Sequence, residues 1–332
     1  MIDVVSFGLG PIGMGIATNL LDREDIVIVG GIDSSPQIAG KDLGTLLSRA
    51  PMGIEITSEP ARALNNRRGG VVIHATSSRL ASIVDQLETI TDSGWNVLST
   101  CEELVCPSAA DPALALSIDG MAIRAGVTVI GAGVNPGFLM DSLPLALSAL
   151  CLRVDSVKVR RIVDTNQRRP QLQAKVGVGL TRVQFDQRVA TGGIGHVGLK
   201  QSAYLIADRL GWAVTEYEEN LEAVIAAEET GTPMGSVSAG NVLGQRQVAN
   251  LHSGDRERVV LELEMFAGAR TEDRILIDGD PSIIQTIPGG INGDAATVAL
   301  LSNLVRPVRE ARPGLLTMAD ILALSCGAGL RG

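Results

Sequence analysis

Aromatic side chains are almost missing from this sequence: Phe, Trp and Tyr make up 2% of 332 residues, against 45% for apolar residues as a whole. A core built mainly from Ala, Val, Leu and Ile suits helices layered on a buried parallel sheet. There is no Lys/Arg-rich run to follow a phosphate backbone and the formal net charge is −9, which argues against a nucleic-acid partner. No uninterrupted apolar run approaches the ~20 residues of a membrane span, and no signal sequence fits ahead of a strand that starts at residue 2. A cytoplasmic protein with no membrane contact is expected. Cysteine and histidine are scarce as well. Cys101, Cys106, Cys151 and Cys326 show neither CxxC spacing nor a ligand pattern with His74, His196 and His252, so they read as thiols, mostly buried, and no metal is expected.

Glycine, in contrast, is abundant, and its first cluster is informative. Ile2 to Phe7 reads as a short buried strand, GLGPIG turns the chain, and Met14, Ala17, Leu20 and Leu21 follow at helical spacing. In that context Gly8 makes the tight turn, Gly10 lets a pyrophosphate approach the backbone and Gly13 lets the helix pack on the strand. Pro11 and Ile12, in the same turn, are candidate cofactor-binding residues, and the N-terminus of the helix that follows presents free N–H groups to the phosphates. A second apolar strand, IVIVGGID, ends at Asp33, twenty residues after Gly13, where a carboxylate accepts both hydroxyls of an adenosine ribose. Asp33 would repel a 2′-phosphate and Ser34 supplies no arginine, so NAD is favoured; the serines at 34 and 35 leave NADP open.

Further strands follow at 70–78, 95–100 and 127–133, with helical stretches between them. The fold class is α/β: an N-terminal Rossmann-type, doubly wound parallel sheet over 1–137, then a C-terminal α+β domain with a mixed open sheet over 138–293. Helices from about 294 to 332 are expected to pack back on the first domain. Ligands lie beyond the carboxyl ends of such strands, which brings Ala75, Thr76 and Ser77, the Thr100–Glu103 stretch and the Gly133–Gly137 stretch towards one edge. In the second part SVKVRRIVDT, LHSGDRERVVLELEMFAG and RILIDG read as strands with one buried face, and GLKQSAYLIADRLG as an amphipathic helix. Asp294 is placed as the N-cap of the last helix.

At STCEEL, GAGVNPGFLMDSLP, LQAKVGVGLT, GHVGL and PGGINGDAAT the sequence resembles the family of 2,4-diaminopentanoate dehydrogenase and the native amine dehydrogenases, nearly end to end. That resemblance implies a fold like dihydrodipicolinate reductase and a homodimer. It also implies nicotinamide-dependent oxidative deamination of a primary amine or diamino acid, reversible as reductive amination of a ketone with ammonia. Dihydrodipicolinate reductases themselves carry paired histidines, and no adjacent histidines occur here. A dihydrodipicolinate reductase-like or alcohol/aldehyde oxidoreductase, or a non-catalytic NAD-binding sensor, are the alternatives.

The chemistry asks for a base near the nicotinamide, because water must attack an iminium ion. In the family a glutamate in this region has that role; Glu102 is the first choice here and Glu103 the second. Asn135, Pro136 and Gly137 are expected near the nicotinamide, with Asn135 either hydrogen-bonding the nicotinamide ribose or the reacting group, or only shaping the turn. Phe138, Arg168, Gln173, Lys175, His196 and Asn292 are the candidate substrate-binding residues. If the chain after Pro170 is extended, Gln171, Gln173 and Lys175 share one face. Arg168 and Arg169 are the candidates to pair with a substrate carboxylate, if the substrate has one, with plain surface charge as the alternative.

Overall fold

Val4, Val5, Val71, Val72, Val97, Leu98, Val129 and Ile130 are completely buried whichever way their side chains point, which requires a sheet covered on both faces. A computed structural model describes residues 1–64, 68–167, 170–321 and 325–326. Its strands are β1 (Ile2–Phe7), β2 (Ile26–Ile32), β3 (Ile56–Thr57), β4 (Val71–His74), β5 (Asn96–Ser99), β6 (Thr128–Gly131), β7 (Arg153–Asp164), β8 (Glu216–Ile225), β9 (Thr230–Thr232), β10 (Gly235–Val237), β11 (Val242–Ser253), β12 (Arg256–Phe266), β13 (Glu272–Asp280), β14 (Ile283–Pro288) and β15 (Gly314–Leu316).

The chain divides into two units, one formed by residues 1–138 and 292–332 and the other by residues 139–291. In the first, a parallel sheet runs β15-β6-β5-β4-β1-β2-β3. Strand order reverses beside β1, which opens a crevice between the ends of β1 and β4. One face packs on helices Pro11–Leu21 and Gly293–Glu310 through Ile16, Leu20, Leu301 and Leu304, and the other on Val84–Asp92 and Pro112–Ala125 through Leu87, Ile90, Ile118 and Ala122. The C-terminal stretch contributes more than helices, since β15 extends the sheet beside β6.

In the second unit a six-stranded mixed sheet runs β14-β13-β7-β12-β11-β8, and β9 and β10 form a separate hairpin. Val259, Leu261 and Leu263 of β12 are buried with Leu199, Ala203 and Ile206 of helix Leu199–Arg209, whereas Arg256 and Glu257 are exposed. The LHSGDRERVVLELEMFAG stretch is two strands and not one: β11 ends at Ser253, Gly254 turns the chain with φ +60°, and β12 begins at Arg256. A second correction concerns QLQAK. Pro170–Lys175 is a helix, so residues two apart point to opposite sides; Gln173 is fully buried and Lys175 exposed. Proline at the first helical position is compatible with that start, having no N–H to lose.

Candidate active site

The carboxyl edge of the first unit's sheet is assembled by a series of backbone contacts. Gly8 has φ +91°, and a Cβ there would stand 2.4 Å from the Ala75 carbonyl oxygen, so the loop after β1 lies directly on the loop after β4. A Cβ on Gly13 would meet the Gly8 carbonyl at 1.9 Å, whereas nothing lies within 4 Å of one built on Gly10. The three glycines thus do three different things: turn, open approach and helix packing. Helix Pro11–Leu21 has Gly10 at its N-cap with no side-chain cap. Its first helical bond runs from Met14 N to Gly10 O at 2.8 Å, which leaves the Ile12 and Gly13 N–H groups for an anion.

Asp33 follows β2 and accepts from Leu9 N at 2.7 Å and from Ser35 N at 2.8 Å. One carboxylate therefore ties the glycine loop to the end of β2, and each oxygen keeps lone-pair capacity for a ribose hydroxyl. Ser34 beside it is exposed. These features fit a dinucleotide on observations of this chain itself: an open glycine, unsatisfied helix N–H groups and an anchored carboxylate one strand away.

The 70–78 strand read from the sequence is shorter in the structure. β4 stops at His74, and Ala75 to Ser78 form the loop, with Ala75 N donating to Phe7 O at 2.7 Å and Ser77 Oγ accepting from Arg79 N at 3.2 Å. Beneath that loop His74 is fully buried. Its Nε2 lies 2.7 Å from Gln86 Oε1, its Nδ1 2.9 Å from Ser99 Oγ, and Thr76 Oγ1 donates to the same Gln86 oxygen at 2.8 Å. Burial pushes the imidazole down to about 4, so the ring is neutral, with the proton assigned to Nε2 by the amide oxygen it faces. Ser99 Oγ then accepts the Cys101 N–H at 3.1 Å. Burial also pushes the Cys101 thiol up to about 12, which removes it as a nucleophile.

Past Cys101 the chain makes a 3₁₀ turn, Glu102–Val105, and the two glutamates differ sharply. Glu103 Oε1 accepts from Arg79 NH1 at 2.7 Å, Oε2 accepts from Leu80 N at 2.7 Å, and its own N–H donates to Ser78 O at 3.2 Å. The Glu102 carboxylate, half-buried, has no hydrogen-bond or ion-pair partner among the described residues. Because Arg79 is 59% exposed, its ion pair contributes at most ~1 kcal/mol to stability. Arg79 and the Leu80 N–H are groups the sequence reading missed; a lone arginine shortly after a strand gives no sign that it will meet an acid 24 residues later.

After β6 the chain knots on itself. A Cβ on Gly131 would press on Leu104 C at 2.5 Å, and one on Gly137, where φ is +123°, would stand 2.6 Å from the Gly133 backbone. The Asn135–Pro136 peptide is cis. Asn135 Oδ1 is buried with no protein partner among the described residues, and Val134 N donates to Thr297 Oγ1 at 3.3 Å. The cofactor-side residues named from the sequence thus gather on one edge.

The substrate-side candidates are divided between the two units, Phe138 and Asn292 in the first and Gln173, Lys175 and His196 in the second. Phe138 packs half-buried on the first unit's core. Arg168, with Arg169, lies outside the described residues. His196 is held by its main chain: its N–H donates to Gln247 Oε1 at 2.8 Å and its carbonyl accepts from Gln247 Nε2 at 3.0 Å. Asn292, not Asp294, caps the last helix, accepting from Asp294 N and Ala295 N at 3.1 Å each. Asn reaches the N2 and N3 amides from that position, which leaves Asp294 in the first turn to complement the helix dipole.

Residues 138–329 match the model of the 2,4-diaminopentanoate dehydrogenase C-terminal domain. The 2,4-diaminopentanoate dehydrogenase of Acetoanaerobium sticklandii is 30% identical, over 96% of this chain and 93% of that protein. The chain belongs to the 2,4-diaminopentanoate dehydrogenase family. The solved amine dehydrogenase of Mycobacterium smegmatis superposes with a TM-score of 0.81 at 25% identity, covering 98% of this chain and 96% of that one. A dihydrodipicolinate reductase from Paenisporosarcina superposes at 0.51 with 12% identity, over 97% and 99%, a likeness of fold alone. As a member of this family the protein is an NAD(P)-dependent oxidoreductase acting on CH–NH2 groups of a small-molecule substrate. No helix among the described residues is long and apolar enough to cross a membrane.

Proposed function

We propose that the protein oxidatively deaminates a primary amine or diamino acid with NAD, releasing ammonia and a ketone, and that Glu102 is its base. The observation that carries this is the contrast between adjacent glutamates: Glu103 is fully engaged, and Glu102 has an unengaged carboxylate on the cofactor edge.

The Ile12 and Gly13 N–H groups would hold the cofactor pyrophosphate, Asp33 the adenosine ribose, and Ala75 to Ser77 with Asn135 to Gly137 the nicotinamide side. When bound, the cofactor supplies the hydride acceptor. Loss of hydride leaves the substrate as an iminium ion, which the Glu102 carboxylate stabilises by its charge. A Glu102 oxygen then takes a proton from the water that attacks the iminium carbon, and it returns that proton to nitrogen as ammonia leaves. The neutral amine, oxidised cofactor and water thus become ketone, reduced cofactor and ammonium, the departing ammonia carrying off the carbinolamine hydroxyl proton as the carbonyl forms. The neutral His74 and the protonated Cys101 thiol stay out of this traffic.

The same reading takes the second unit's sheet as a homodimer interface. Arg160, Arg246, Glu222, Glu262 and Glu264 form an ion-paired lattice there, and a face carrying both signs of charge supports pairing with a second copy. Four free thiols fit a reducing compartment, the cytoplasm.

Glu102→Gln tests the base. Turnover in amine oxidation should fall ~10²-fold or more, with NADH affinity by fluorescence and melting temperature unchanged. Retained turnover would remove Glu102 from the mechanism.

A further inference from the structure

We infer that Glu103 is a positioning residue, which with Arg79 and the Leu80 N–H fixes the turn that carries Glu102; this rests on the reading of Glu102 as base. Glu102 lies at the start of a short 3₁₀ turn, and a glutamate in a mobile turn would spread its carboxylate over many positions. Misplacement of a reacting group by about 1 Å costs as much as ~10²-fold in rate, so the turn has to be held.

The structure holds it from both sides. Towards the C-terminus, Glu103 makes the three bonds already described, to Arg79, Leu80 and Ser78, and these fasten the loop after β5 to the loop after β4. On the N-terminal side, Cys101 N donates to Ser99 Oγ, which meets His74 Nδ1, and Leu104 N closes on Cys101 O at 3.1 Å. The bonds that flank Glu102 therefore run into the ends of β4 and β5 and the loops that follow them, where the nicotinamide is read to lie. The ion pair with Arg79 holds the Glu103 carboxylate against the loop after β4, away from the role given to Glu102.

The test compares Glu103→Gln, Arg79→Ala, Arg79→Lys and the double variant Glu103→Gln/Arg79→Ala. Measured quantities are kcat and KM for amine oxidation, the pH profile of kcat, NADH affinity by fluorescence, and melting temperature. Glu103→Gln should lower kcat by between ~10- and ~10²-fold with NADH affinity within about twofold, while the acid limb of the pH profile remains. Arg79→Lys should recover part of what Arg79→Ala loses, and the double variant should be no slower than Glu103→Gln. A kcat within about twofold of the parent in both Glu103→Gln and Arg79→Ala, whatever happens to melting, overturns the positioning role. So do additive losses in the double variant. Arg79 is exposed, so Arg79→Ala decides the matter even if Glu103→Gln does not fold. Failure of the underlying reading looks different: Glu102→Gln then stays active, or the acid limb disappears in Glu103→Gln, which would make Glu103 the base.

Discussion

Single atoms decide the chemistry of the cofactor edge. Glu102 and Glu103 are neighbours with the same side chain, yet 2.7 Å contacts to Arg79 and Leu80 engage one and leave the other unengaged. Asp33 is a similar case: its two oxygens are anchored by the Leu9 and Ser35 amides, and in the proposed reading that carboxylate meets the ribose 2′ position. Replacing Asp33 with Ser and Ser34 with Arg should remove that repulsion and add a phosphate partner. The ratio of kcat/KM for NADPH over NADH is expected to rise by ~10-fold or more, on the order of 1.4 kcal/mol. An unmoved ratio would show that Asp33 does not read the ribose.

At the scale of elements, the ends of β4 and β5 and helix Val84–Asp92 are joined through one buried imidazole, His74, by way of Ser99 and Gln86. In the unfolded chain that group titrates near 6.5, and in the folded protein near 4. Below 6.5 the unfolded state binds the extra proton and the folded state does not. The stabilisation is therefore complete above 6.5 and is lost as pH falls towards 4, to a limit of about 3 kcal/mol. Urea unfolding of the parent and of His74→Gln at pH 7 and pH 5 measures this: the parent should lose about 2 kcal/mol more than the variant between the two pH values. Equal losses would mean that His74 is charged or exposed in the folded protein.

For the molecule as a whole, the second unit's sheet has Val259, Leu261 and Leu263 buried on one side and the Arg160, Arg246, Glu262 and Glu264 pairs on the other. In the proposed reading this lattice of mixed charges meets its own copy. Sedimentation at micromolar concentration should show a dimer, and Arg246→Glu, which places like charges beside Glu222 and Glu262, should shift it towards monomer with NADH affinity retained. A parent protein that sediments as a monomer would remove the interface.

The sequence alone carried the Rossmann sheet, the three glycine roles and the position of Asp33, because each depends on local pattern: apolar runs, a turn that only glycine accommodates, and a fixed spacing to the next strand end. Period-two alternation likewise marked β7 and β13. It did not separate β11 from β12, where the polar HSGDRER stretch hides a turn at Gly254, nor did it show that QLQAK is helical with Gln173 buried, since a short segment with mixed periodicity is settled by what it packs against. The cap fell to Asn292 and not Asp294 because both are good cap residues and only the exact start of the helix chooses between them. Tertiary structure alone divided the glutamates, because the partners of Glu103 come from the loop after another strand, and contact between residues distant in the chain is created only when β4 and β5 lie side by side.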